Sequence, residues 1–147
     1  MNSSDTIKLL YQLMTDQKPL WGKMTPQHMV EHLYKAVQAS INEINLNVFT
    51  EERKIPILKK LFLGERALPK EFMNPAIGPE LLTLEFKDLN NTIIELENVQ
   101  KRYEQFFINN PSIKTAHPIF GYLTKEEWDV FHQKHFKHHL AQFGISD

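Results

Sequence analysis

Four of the seven histidines, His132, His135, His138 and His139, fall within one segment near the end of the chain. With helical geometry, at about 100° per residue, His132, His135, His139, Gln142 and Trp128 share one arc of that segment. Phe131 flanks the arc on one side, and Phe136 and Phe143 on the other. Glu126, Asp129, Gln133, Lys134 and Lys137 occupy the opposite face, and His138 lies at the edge. Imidazoles buried side by side need polar partners, because an unsatisfied buried polar group costs about 1–3 kcal/mol. One divalent cation would satisfy several of them at once. Residues i and i+4 stack one turn apart, so His135 and His139 can aim two nitrogens at one ion. A third ligand must come from another helix, and His32 is the best candidate. His28 stands one turn before His32 but further out, as a rim or outer group. Zinc and nickel both suit imidazole ligands, and the spacing does not choose between them.

These residues also have plainer explanations. A His-x-x-x-His pair arises by chance in a histidine-rich helix, and a buried histidine is usually a hydrogen-bonded core residue. His117 before Pro118 reads as a loop residue, and Trp21 and Trp128 as packing. Glu31 points about 100° away from His32 and reads as solvated.

The elements that must position these side chains read as helices. Asp5 can cap a first helix carrying Ile7, Leu10, Leu13 and Met14. Thr25 followed by Pro26 starts a second, expected to run to about Asn45 with Met29, Leu33, Ala36, Val37, Ser40 and Ile44 inward. A shorter helix is expected over Thr50–Leu63, with Thr50 capping and Pro56 perturbing it. Gly64–Pro79 reads as a long connection. Asp88 opens the next helix, with Leu89, Ile93, Leu96, Gln100, Tyr103 and Phe107 in a seam. Ser112–Leu123 reads as a loop. Thr124 then caps the last helix, with Glu126 and Glu127 in its first turn, and Gly144 ends it. Nothing alternates with period two over a useful length, and Thr83-Leu-Glu-Phe86 is the nearest candidate for a strand. The expected fold is therefore all-α: a four-helix bundle with a long crossover between the second and third main helices, forming one domain over residues 1–147.

Composition narrows the function classes. The formal net charge is −1 and no basic stripe occurs, which disfavours nucleic acid as a partner. Arg53-Lys54 and Lys59-Lys60 are interrupted by Ile55-Pro-Ile-Leu58 and read as the solvated face of a short helix. The absence of cysteine excludes disulfides, thiolate catalysis by the chain and thiolate ligands. No run approaches the roughly 20 apolar residues that span a bilayer, and no secretory signal is visible, so a cytoplasmic location away from membranes is expected.

The last-helix stretch His135-Phe-Lys-His-His139-Leu-Ala-Gln142 resembles the C-terminal signature of the DinB/YfiT-like superfamily. Pro19-Leu-Trp-Gly-Lys-Met-Thr-Pro-Gln-His-Met-Val-Glu-His32, Leu63-Gly-Glu-Arg-Ala-Leu-Pro69 and His117-Pro-Ile-Phe-Gly-Tyr-Leu-Thr-Lys-Glu-Glu-Trp128 resemble one bacterial branch of it, known as a domain of unknown function. The resemblance implies a four-helix bundle. It also implies a divalent metal on three histidines, one from the second helix and two from the last, with a glutamine three residues beyond. Here those positions are His32, His135, His139 and Gln142. Some relatives are thiol-dependent S-transferases, others metal-dependent hydrolases, and many form dimers. A small-molecule substrate, a thiol cofactor and a homodimer are thus options that the resemblance raises and no residue here identifies.

Two functional classes remain. In a metal-dependent enzyme, three neutral imidazoles would leave positions open for an activated water or a thiolate. His132 or His28 would then be the residue to shuttle a proton. In a non-catalytic interaction or structural protein, the histidines would bind metal only for stability, or not at all.

Overall fold

The computed structural model describes residues 3–69 and 81–145. Its elements are α1 (Ser3–Leu10), α2 (Pro26–Ser40), a 3-10 turn (Glu52–Lys54), α3 (Ile55–Phe62), α4 (Leu89–Asn109), β1 (Thr115–His117), β2 (Gly121–Leu123) and α5 (Lys125–Gln142). The described residues therefore form five helices and a two-stranded antiparallel sheet. This corrects the expectation of an all-α four-helix bundle.

Each long helix starts where a side chain can satisfy its first amides. The Thr25 hydroxyl accepts from the His28 amide, with Pro26 in the first turn, where its missing N–H is harmless. Asp88 accepts from the Asn91 amide. Thr124 and Glu127 form a reciprocal capping box at α5. Several helices are shorter than expected. The first ends at Leu10, so Asp5 lies inside its first turn, Leu13 is buried beyond it and Met14 is exposed. The second ends at Ser40 rather than near Asn45. Asn42 takes a left-handed conformation, φ 60°, and the Glu43 amide turns back to Gln38 O. Pro56 sits in the first turn of α3, so it starts that helix instead of perturbing it, and Thr50 does not cap it. Of the Gly64–Pro79 connection, residues 70–79 lie outside the described residues. Arg66 O accepts from Lys134 Nζ, and Leu68 is buried.

The hairpin was hidden because its strands are three residues each, too short for alternation to show. Thr115 pairs with Leu123, and His117 with Gly121. His117 Nδ1 accepts from the amides of Ile119 (3.0 Å) and Phe120 (3.3 Å), closing the turn. Gly121 follows at φ +69°, and a Cβ there would come within 2.8 Å of Ile55 Cδ1. By contrast, Thr83–Phe86 forms no strand. The amides of Glu85 and Phe86 donate instead to the Glu31 carboxylate, at 2.7 and 3.1 Å. Glu31 is accordingly buried, not solvated.

Helix directions follow from side-chain contacts. Gln27 reaches Phe86 O near the start of α4, while Glu43 pairs with Arg102 near its end, so α2 and α4 run parallel. His32 meets His135, and Ser40 meets His132, so α2 and α5 are antiparallel. The core lies between them. Met29, Leu33 and Val37 of α2, Leu96, Val99 and Tyr103 of α4, Phe120 and Leu123 of the hairpin and Trp128 of α5 are all essentially inaccessible. Each large apolar side chain so buried contributes about 1.5–3 kcal/mol. No helix among the described residues is long and apolar enough to cross a membrane.

Thr115 ties the hairpin to both partner helices. Its hydroxyl donates to Ser40 O and accepts from Trp128 Nε1, each at 2.7 Å. Glu31 does the same for the approach to α4. Glu31→Ala would strand the Glu85 and Phe86 amides and is expected to lower unfolding stability by about 2–3 kcal/mol, read as a fall in urea midpoint. An unchanged midpoint would show that these bonds are replaced by water at no cost.

Candidate metal centre

The antiparallel register of α2 and α5 brings three imidazoles to one point. His32 Nε2 lies 2.8 Å from His135 Nε2, and His139 Nε2 lies 3.2 Å from the same atom. All three ligand atoms fall within 4.8 Å of one another, close enough to hold a metal ion. Ring planes cross at 81°, 74° and 67°, so the rings fan around a common centre instead of stacking. Nitrogens bound to one ion at 2.0–2.1 Å stand about 3.3 Å apart in a tetrahedral arrangement. The His32–His135 and His135–His139 spacings lie close to that value.

The tautomer of His139 is fixed from outside. Gln142 Oε1 lies 2.7 Å from His139 Nδ1, and Gln142 Nε2 donates to Trp21 O at 3.0 Å. The second bond sets which end of the amide faces the histidine. Gln142 therefore accepts, Nδ1 carries the proton, and Nε2 presents its lone pair to the cluster. The loop supplying Trp21 O is clamped to the end of α5: the Leu20 amide donates to Gln142 O, and Gln17 Nε2 to Phe143 O, both at 2.7 Å. Gly22 completes this contact. It sits at φ +78°, and a Cβ there would press to 3.0 Å from Gln142 Nε2.

The electrostatics keep the cluster neutral. Burial, then the neighbouring His138 and Lys35 charges, push His32 down to about 4. Burial and mutual repulsion hold His135 and His139 well below the usual histidine range. Neutral imidazole is the form that ligates metal. The nearest carboxylate in sequence, Glu31, is committed to the backbone of α4's approach.

The other candidate histidines go elsewhere. His28 Nδ1 lies 2.6 Å from Thr25 Oγ1 and its Nε2 3.0 Å from Leu82 O, so this side chain fastens residue 82 to α2. His117 is buried within the hairpin among Phe120, Trp128 and Phe131. His132 stacks on Trp128 at 23° and bonds Ser40 Oγ at 3.1 Å. None of the three joins the cluster of nitrogens. His138, half-buried at the edge, meets the His139 ring, the edge of Trp21 and the backbone of Leu68.

Residues 109–145 match a family model described as a protein of unknown function (DUF1569). The match covers the hairpin and α5, hence His117, His132, His135, His139 and Gln142, while His32 lies outside it. No curated protein and no solved structure matches the chain.

The sequence places Ser40 inward but does not announce its bond to His132, and it gives no sign of the roles of Thr115 and the Trp21 carbonyl. The last is a backbone atom and leaves no mark in residue type. Gly22 was the available signal, since a glycine in a loop permits the positive φ and close approach seen there.

Burial depresses His117 and His132 to about 3. Their unfolded values lie near 6.5, so between these limits the unfolded chain binds the extra protons. Their contribution to stability is full above about pH 6.5 and is lost as pH falls through that window, each adding a slope of up to about 1.4 kcal/mol per pH unit. Urea midpoints measured in chelator should fall steadily from neutral pH to about pH 5. The cluster histidines, also held low by burial, add to that fall, and a flat profile would mean that none of these rings is kept neutral by the fold.

Proposed function

We propose that His32, His135 and His139 hold one divalent ion through their Nε2 atoms, and that this centre makes the protein a metal-dependent enzyme acting on a small molecule. The convergence of three neutral Nε2 atoms, one with its tautomer set by Gln142, is the observation that carries this reading. Three imidazoles fill three positions and bring no charge, which suits zinc or nickel and leaves the ion's charge uncompensated. Bound there, the ion would supply Lewis-acid chemistry, bringing the pKa of a water or a thiol towards neutral.

The chain's own residues set the terms. His135 and His139 are buried, whereas His32 is partly exposed, so His32 marks the side of the cluster nearest solvent. Lys35 bears electrostatically on His32, so a cation near the cluster favours an anionic group. S-transfer with a thiol and hydrolysis both fit that preference, and both occur among the DinB/YfiT-like proteins to which we relate the chain by its His135-to-Gln142 motif.

A structural ion is the second reading, favoured by the packing of His135 against Phe131 at 5.0 Å between ring centroids. It predicts that chelation lowers the melting temperature and that no thiol or ester substrate is turned over.

Protein purified without a histidine tag should carry about one divalent ion per chain by elemental analysis. His135→Ala should abolish it and His28→Ala should not. Gln142→Leu should weaken binding about 10–100-fold. Stoichiometry untouched by His135→Ala would sink the site.

A further inference from the structure

Gln142 gives His139 its outer hydrogen bond, but among the described residues His135 has no such partner. Its Nδ1 is buried and unpaired, and among the described residues the other buried side-chain polar atoms in that condition are His132 Nδ1 and Gln100 Oε1. We propose that these three atoms bind one internal water, through which Gln100 and His132 support His135 as a ligand. The inference rests on the metal-binding reading of His135.

Hydrogen-bond valence argues for it. Ser40 Oγ spends its proton on Val37 O at 2.6 Å, so it must accept from His132 Nε2 at 3.1 Å. His132 is thus protonated on Nε2, and its Nδ1 is an acceptor. Gln100 Oε1 is an acceptor by nature. His135 presents a lone pair at Nε2 when it ligates, so its Nδ1 is a donor. Two acceptors and one donor match a water that gives two protons and takes one, and buried waters make about three hydrogen bonds. In the absence of an ion, a proton on His135 Nε2 would turn Nδ1 into a third acceptor, which one water cannot satisfy.

Helix register places the three atoms in one region. The Tyr103 ring lies 5.2 Å from that of His132. Because α2 is parallel to α4 and antiparallel to α5, α4 and α5 are antiparallel. One turn back from Tyr103, at Gln100, therefore corresponds to one turn on from His132, at His135. Gln100 itself is buried on the same inward seam of α4 as Tyr103. His132 and His135 both lie against Phe131.

The test has two parts. A high-resolution crystal structure of the metal-loaded chain should show one water within hydrogen-bonding distance of His135 Nδ1, His132 Nδ1 and Gln100 Oε1. A protein acceptor on His135 Nδ1, or no water there, would overturn the proposal. Gln100→Leu should weaken zinc binding about 10–100-fold without lowering the apo melting temperature, and Gln100→Glu, which keeps an acceptor, should restore most of it. Equal zinc affinity in wild type and Gln100→Leu would also overturn it. If the wild type binds neither zinc nor nickel, the metal reading fails first. A zinc-loaded structure that lacks the water defeats the present inference alone and leaves the metal reading intact.

Discussion

The fold depends on one constraint: α5 turns imidazoles, not only hydrocarbon, toward the core. Apolar packing alone cannot seat that helix, because each buried ring brings two polar atoms that must be satisfied or stay neutral at a cost. The chain meets the demand locally and differently at each turn. His132 bonds Ser40 through Nε2, His139 bonds Gln142 through Nδ1, and His135 looks across to His32. Every one of these partners comes from α5's own end or from α2. The polar bonds therefore set the α2–α5 register more narrowly than side-chain volume would.

The hairpin acts in the same cause. Thr115 joins Ser40 O to the Trp128 indole, and Ser40 in turn carries His132. Two short strands thus fix the depth of α5 beside the end of α2, one turn from the histidine cluster. His117 holds the hairpin's own turn through two backbone amides. A residue that looked like an incidental loop histidine is a structural part of the element that aligns the helix carrying the cluster. At the opposite end of α2, Gln27, His28 and Glu31 grip the segment from Leu82 to Phe86. The helix that contributes His32 is braced at both ends by polar contacts.

Much of this was legible because helical spacing is local. The inward arc of α5, the Thr25 and Thr124 caps and the seam of α4 all follow from residues three or four apart. What escaped depends on contacts between distant segments. Strands of three residues carry no readable alternation, so the hairpin was lost. Glu31 looked solvated by angle, yet two amides far along the chain bury it, since a carboxylate that accepts backbone N–H groups can leave water. The end of α2 was misplaced because Asn42 adopts a left-handed conformation, which composition permits but does not announce. For the histidines, the wheel supplied the inward direction of His135 and His139. It could not say whether His132 or His28 would join them, because their partners, Ser40 and Leu82 O, are set by tertiary structure.

His32 and His135 are 103 residues apart in sequence. A cluster assembled over that separation cannot precede the fold, and an ion bound by it would act as a clasp between α2 and α5. Because the unfolded chain offers no comparable site, such an ion would stabilise the folded state according to its free concentration over its Kd. The clasp also balances an electrostatic deficit. Protonating one ring of the cluster would bury a charge away from water, which is the main reason that all three are held neutral. Divalent charge at the same point would instead be shared by three lone pairs, with Gln142 drawing the His139 proton outward and strengthening that nitrogen as a donor to metal. The arrangement that makes the histidines poor bases makes them good ligands.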